Sequence, residues 1–340
     1  MQAGEAPQRK PLRVLDTGTS PVNVVRFTKD GNYCMSAGDD RIVRLWNPHK
    51  DDPSAAVAAA ATETEAGGRA LTIKKYEGIH GYSILDVAIS HDNARFASCG
   101  VDKSVFLWDV TTGLVVRRIQ RHTQKVNALE MNDDSTVLLS ASYDRTVCLW
   151  DLRSNMRDPI QSLTDFKDSV TSLARTGSSI LAASVDGCLR TYDLRKGLLH
   201  VDAFPGECIT CVRTTHDKNC AVSMCMSLSD PNMGRAAVTD ATANIRLTDV
   251  PTGRLIKSYE GHRHATYKSE CCVASNDRHV VAGSEDGSVY VWNIITAKVE
   301  KIVKDAHVHA ISSLSHHASK PLLLSAGYDG KSKIWEFDKL

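Results

Sequence analysis

Apolar and polar residues alternate with a period of two through short runs, and the runs recur in a fixed order. Val126-Asn-Ala-Leu-Glu-Met131 is followed by the turn Asn132-Asp-Asp-Ser135, then Val137-Leu-Leu-Ser-Ala-Ser142, the turn Tyr143-Asp-Arg145, and Thr146-Val-Cys-Leu-Trp150. Period-two alternation rich in β-branched residues predicts strands, and the polar turns between them predict hairpins. Four short strands make one unit, and no helix of ordinary length is predicted.

The unit repeats. Cutting the chain at its aromatic-plus-acid punctuation gives Leu45-Trp46-Asn47, Leu107-Trp108-Asp109, Leu149-Trp150-Asp151, Thr191-Tyr192-Asp193, Leu247-Thr248-Asp249, Val291-Trp292-Asn293 and Ile334-Trp335-Glu336. The intervals between these marks are 62, 42, 42, 56, 44 and 43 residues. Four of the six lie within about 40–45 residues, the period of a four-stranded propeller blade. The two long ones carry insertions: a low-complexity alanine-rich loop at 51–68 and a turn-rich loop at 227–239. The predicted fold is therefore an all-β, seven-bladed propeller at residues 12–338, preceded by a flexible segment at 1–11. The last unit has residues for only three strands after its first turn, so Leu12-Arg-Val-Leu15 is predicted to supply the fourth, covering an edge and joining the two ends of the chain.

An acid stands six residues before the aromatic mark in six units, at Asp40, Asp102, Asp144, Asp186, Asp286 and Asp329. A carboxylate there can accept bonds from turn amides and from a histidine on the preceding loop, with His80, His122, His262 and His307 as candidates. Their recurrence points to a structural network rather than to catalysis. The fifth unit departs from the pattern, with Thr242 at the acid position and Thr248 at the aromatic one, and its blade is predicted to be the least rigid.

Composition narrows the function. A chain of 340 residues with 42% hydrophobic and 24% charged residues can bury a large core, and a formal charge of +1 gives no general attraction to phosphate. No signal-peptide core or apolar run of membrane-spanning length is visible, which predicts a soluble intracellular protein. The ten cysteines then read as reduced thiols. Cys208-Ile-Thr-Cys211 has half a zinc spacing but no second pair, and Cys271 and Cys272 point to opposite faces of a strand, so no metal and no cofactor are predicted. The nucleophile-elbow, phosphate-loop and zinc-helix motifs are missing from the sequence, so no enzyme activity is predicted.

The recurrent Gly-His, Ser-x-Asp and Trp-Asp signatures resemble the WD-repeat superfamily across residues 12–338. Within it, Val25-Arg-Phe-Thr-Lys-Asp-Gly-Asn-Tyr-Cys34, Asp186-Gly-Cys-Leu-Arg-Thr-Tyr-Asp-Leu-Arg195 and Gly261-His-Arg-His-Ala-Thr-Tyr-Lys-Ser-Glu-Cys-Cys272 resemble the mitogen-activated protein kinase organizers, WD-repeat scaffolds also associated with late spliceosomes. The 51–68 insertion departs from that pattern. The resemblance implies a protein-interaction scaffold, a monomer within larger complexes, in cytoplasm and nucleus. Its implied partners are MAP-kinase cascade components and splicing factors; no membrane contact is implied, and without an RNP-like aromatic cluster or basic run no direct nucleic-acid contact either. Repeat position puts Asn23, Leu85, Asn127, Thr171, Thr210 and Ser312 on the narrow, partner-binding face, joined by Tyr143, Val185, Glu285 and Tyr328 from the turns. An alternative remains. Leu138–Arg153 and Ile180–Arg195 resemble the sixteen-residue box by which substrate receptors of cullin-type ubiquitin ligases dock on their adaptor, with Arg153 and Arg195 on the wide face.

Overall fold

A computed structural model describes residues 10–53, 68–154, 156–204, 206–227 and 244–337. Thr242, most of both insertions and residues 1–9 lie outside the described residues. Every regular element within them is a strand. β1 (Arg13–Asp16) opens the chain, and the others follow in six groups of four and a last group of three. The first sheet holds β2 (Val22–Phe27), β3 (Cys34–Gly38), β4 (Val43–Asp51) and β5 (Gly68–Tyr76). The second holds β6 (Ile84–Ile89), β7 (Arg95–Gly100), β8 (Val105–Asp109) and β9 (Val115–Ile119), and the third β10 (Val126–Met131), β11 (Val137–Ser142), β12 (Val147–Asp151) and β13 (Gln161–Leu163). The fourth holds β14 (Val170–Thr176), β15 (Ser179–Ser184), β16 (Cys188–Asp193) and β17 (Gly197–Ala203). The fifth holds β18 (Glu207–Thr214), β19 (Cys220–Ser227), β20 (Asn244–Asp249) and β21 (Leu255–Tyr259), and the sixth β22 (Cys271–Val273), β23 (His279–Gly283), β24 (Val289–Asn293) and β25 (Val299–Val303). The last group is β26 (Ile311–His316), β27 (Leu322–Gly327) and β28 (Lys331–Glu336).

β1 lies between two groups. It pairs antiparallel with β28, Val14 opposite Lys333, and parallel with the start of β5, which joins the first and last groups into one eight-stranded sheet. Leu12 N donates to Ile334 O at 2.7 Å and Thr17 Oγ1 to Gly330 O at 2.6 Å, extending that seam at both ends.

Strand sequences follow their depth. The second strand of a group is buried along nearly its whole length, so β11 reads as an apolar and small-residue run, whereas the outermost β9 alternates half-buried and exposed positions up to buried Ile119. Apolar clusters form between consecutive sheets: Leu138 and Trp150 pack with Ala97 and Leu107 between the second and third, and Leu15, Leu324 and Ile334 pack with Val25 and Trp46 between the last and first. The first strand of each sheet also packs on the first strand of the next, and β26 packs on β2. The result is an all-β, propeller-like arrangement of four-stranded sheets.

Candidate protein-interaction faces and the networks that hold them

Loops that lead into the first strand of a sheet, and turns between its second and third strands, fall on one side of the molecule, here called the front face. Turns between first and second strands and between third and fourth fall on the back face. This follows from the strict up-down order of antiparallel neighbours.

Three acids anchor front-face loops through the same chain of bonds. His80 Nδ1 lies 2.7 Å from Asp102 Oδ2 and its Nε2 lies 2.7 Å from Ser98 Oγ, which accepts the indole N–H of Trp108 at 2.8 Å. His122, Asp144, Ser140 and Trp150 repeat this at 2.8–2.9 Å, and His307, Asp329, Ser325 and Trp335 at 2.7–3.0 Å. Loop, turn and two strands are thereby tied by buried side chains. Burial opposes charge on His122, but Asp144 and Cys148 outweigh it and raise its pKa to about 9. In His307 burial prevails, assisted by Lys333 and Lys331, and its pKa is lowered.

The other acids are served differently. Asp186 takes Arg190, four residues on, at 2.8 Å, and Asp40 takes Arg44 at the same spacing. Among the described residues no histidine meets either. Asp286 is exposed and accepts Ser288 N at 2.8 Å and Tyr290 Oη–H at 3.3 Å. His262 corrects an expectation, since it does not reach Asp286: both ring nitrogens are buried without a partner, and burial, reinforced by His264, pushes its pKa down to about 3. Two sequence features account for this. His262 precedes its acid by 24 residues where the three paired histidines do so by 22, and Ala282 stands where those units carry the bridging serine. Trp292 donates to Glu260 O instead, at 3.0 Å.

Asp144 and Asp133 give a direct comparison. Asp144 accepts Thr123 N at 2.9 Å, Thr146 N at 3.1 Å and Thr146 Oγ1–H at 2.6 Å besides His122. Asp133 pairs with Arg175 and, at 3.2 Å, with Lys218 on a half-exposed back-face turn. Asp144→Ala is expected to cost about 1–3 kcal/mol for each donor left unpaired, and Asp133→Ala less, about 1 kcal/mol, since its own carboxylate is half-exposed and Arg175 keeps its bond to Gly177 O. Urea midpoints of the two variants check this; equal midpoints refute it.

The inner-strand positions predicted to meet partners have a further use. Asn23, Leu85, Asn127, Thr171, Thr210 and Ser312 are each the extra residue of a β-bulge, where the register shifts and the side chain is re-aimed. Asn23 Nδ2 donates to Ile84 O at 2.9 Å, Asn127 Nδ2 to Val170 O at 2.7 Å and Thr171 Oγ1 to Ile209 O at 2.6 Å, in each case the next sheet. Ser312 does the same to Val22 O. Thr210 lies 3.1 Å from His264 Nε2, and Leu85 is half-buried without such a bond. Asn127, Thr210 and Ser312 are buried, so sheet-to-sheet stapling occupies them.

Exposure on the front face belongs instead to the loops. Tyr82 is 63%, Tyr143 50%, Tyr267 49% and Val308 83% exposed. Tyr328 is half-buried against Tyr267, ring centroids 5.2 Å apart, and Lys125 Nζ lies over Tyr143 at 5.1 Å. Val185 is half-buried, and Glu285 turns back to accept the amides of Ala265, Thr266 and Tyr267. On the back face Arg153 and Arg195 are both exposed, in the turns that follow β12 and β16 of adjacent sheets, with Arg153 paired to Asp151 at 3.3 Å.

Between the faces the inner strands carry a buried ionic cluster. Glu270 accepts both Arg26 Nη atoms at 2.7 and 2.8 Å, Arg213 Nη2 at 3.0 Å and Ser313 Oγ–H at 2.6 Å; Asp86 takes Arg26 Nη2 at 3.0 Å and Leu129 N at 3.0 Å. Burial works against the Glu270 charge, but Arg26 and then Arg213 hold its carboxyl below the usual carboxylate range. A cavity of about 130 Å³ next to it is lined by Arg26, Lys29, Glu130 and Arg213. The sequence signal is a charge in or beside an apolar inner strand, as with Arg26 in β2, Asp86 in β6, Arg213 in β18 and Glu270 just before β22, but nothing in the chain pairs Arg26 with a residue 244 positions away. Among the described residues no cluster of three or more His, Cys, Asp or Glu is arranged to hold a metal.

Repeated four-stranded sheets with Asp–His–Ser–Trp bonding define a WD-repeat protein, and the WD domain, G-beta repeat model matches residues 9–47, 73–109, 113–151, 253–293 and 300–336. The chain belongs to the WD-repeat family. It is similar over nearly its whole length to proteins called WD repeat domain-containing protein 83: 37% identical to that of Rattus norvegicus over 98% of this chain and 94% of the relative, and 37% to that of Homo sapiens over 97% and 93%. A homolog of the same name from Dictyostelium discoideum is 30% identical over 95% of this chain and 97% of its own length.

Proposed function

We propose that the chain is a seven-bladed propeller, its last blade completed by β1, acting as a non-catalytic scaffold. In this reading it organises MAP-kinase cascade components in the cytoplasm, joins splicing factors in the nucleus, or does both, as the organizer-like segments of its sequence suggest. The observation that carries it is the front face, where exposed Tyr82 and Tyr143 stand on a loop and a turn fixed by the His80–Asp102 and His122–Asp144 bonds. Large amphipathic rings on a rigid support lose little freedom on binding and are the commonest interface hot spots. A second reading, docking to a cullin-ligase adaptor, draws support from Arg153 and Arg195 exposed together on the back face, where a guanidinium can fork onto a carboxylate.

The two faces separate these readings. Tyr82→Ala with Tyr143→Ala is expected to weaken kinase and splicing partners by about 2 kcal/mol or more, roughly thirtyfold, with folding intact. Arg153→Ala with Arg195→Ala should release a ligase adaptor and leave the others bound. Affinity purification with quantitative mass spectrometry reads both. Full retention of partners by the tyrosine variant removes the front-face reading, and recovery of no adaptor from the wild type removes the ligase one.

A further inference from the structure

The third residue of the turn between second and third strands adopts a left-handed conformation in six of the sheets. In the fourth, sixth and seventh it is Gly187, Gly287 and Gly330, with φ of 75°, 78° and 77°. In the first three it is Arg41, Lys103 and Arg145, with φ of 65°, 61° and 67°. Neighbouring loops explain the glycines: a Cβ at Gly287 would stand 2.1 Å from His307 O, and one at Gly330 2.4 Å from Gly18 O. They do not explain the cations. Left-handed backbone costs a side-chain-bearing residue roughly 1 kcal/mol, and where glycine is not used Asn and Asp are the favoured replacements. Three consecutive sheets instead place a long basic side chain there, each exposed on the front face.

The surroundings match an anion that also has apolar parts. Exposed Tyr82, on the loop before the second sheet, and exposed Tyr143, in the same turn as Arg145, share the front face with the cations, and Lys125 over the Tyr143 ring adds a fourth positive charge. Among the described residues Lys103, Lys125 and Arg145 have no carboxylate partner, while the nearby acids Asp102 and Asp144 are taken by histidines.

We propose that the turns of the first three sheets form a docking strip for an extended acidic peptide segment carrying aromatic or aliphatic side chains. Carboxylates meet Arg41, Lys103 and Arg145 in sequence, and the apolar side chains settle against Tyr82 and Tyr143. This rests on the front face being the partner face. A polynucleotide fits less well, because a formal charge of +1 supplies no general attraction to phosphate.

The test uses the full chain and the triple variant Arg41→Gly, Lys103→Gly, Arg145→Gly, which removes the charges while installing the residue that the same turn carries elsewhere in this protein. The probes are an array of synthetic peptides of about twelve residues, graded in Asp/Glu content with and without a Phe-Leu pair, and an oligouridine RNA of similar length. Wild-type signal is expected to rise with carboxylate content, to need the Phe-Leu pair, and to fall as salt approaches roughly 0.3 M. The triple variant should bind the best peptides roughly tenfold more weakly, whereas Lys196→Gly with Lys218→Gly, exposed lysines of the back face, should change nothing. A signal that ignores carboxylate content, that survives in the triple variant, or that is stronger for the RNA overturns the proposal. If the triple variant also keeps every cellular partner that Tyr82→Ala with Tyr143→Ala loses, the strip falls and the face stands.

Discussion

Removing residues 1–17 is expected to abolish cooperative folding or lower the melting temperature by tens of degrees. The deletion takes away β1 and with it the ladder to β28, the contact with β5 and the Thr17 bond to Gly330. It also uncovers the site of Val14 and Leu15, both almost fully buried. Burying such a pair stabilises by about 3–6 kcal/mol, and the lost hydrogen bonds add about 1 kcal/mol each, against a total stability of only about 5–15 kcal/mol. Replacing residues 54–67 by a short Gly-Ser linker is the matched control, since Asp52 N already donates to Arg69 O at 2.8 Å across the base of that hairpin. Asp51 must be kept, because it accepts Arg13 Nε at 2.7 Å. Thermal scans that fall equally for the two deletions would refute the argument.

Glu270→Ala is expected to be the most damaging single substitution. It leaves the half-buried Arg26 and Arg213 with their main counter-charge gone, and a fully buried pair broken in this way costs about 3–5 kcal/mol, an upper bound here. Asp86 relieves Arg26 in part, at 3.0 Å, but Arg213 has no second carboxylate bond. Combining Glu270→Ala with Arg213→Ala should recover part of the loss, because fewer uncompensated charges remain. Denaturant titrations of the two singles and the double close the cycle. A Glu270→Ala midpoint within error of the wild type would show that water reaches the cluster and screens it.

The repeat was legible because its marks are rare residues at fixed offsets. Trp46, Trp108, Trp150, Trp292 and Trp335 recur with an acid six positions earlier, and the fourth strand that the last unit lacks points to a pairing partner near Leu15. The bonding within the unit was only half legible. His80, His122 and His307 stand out, whereas Ser98, Ser140 and Ser325 are ordinary residues in a buried strand, and without the serine requirement His262 reads like the others. The bulges were not legible: an extra residue re-aims its side chain, and Asn127 or Thr171 then bonds the neighbouring sheet. Least legible was the ionic cluster, whose members Arg26, Asp86, Arg213 and Glu270 come from four sheets and share no local pattern.

The pairing of β1 with β28 also sets the order in which the chain can be finished. Val14 is made early and its partner Lys333 only about 320 residues later, so at roughly 5–20 residues per second a ribosome leaves the first strand waiting on the order of 15 to 60 s. Throughout that interval the flank of the first sheet formed by Val22, Val25, Cys34 and Trp46 has nothing to pack against. Translational pausing within the final forty or so codons therefore presents an uncovered apolar surface to holding chaperones, and messages truncated there should yield chains that are retained by chaperones or degraded rather than released folded.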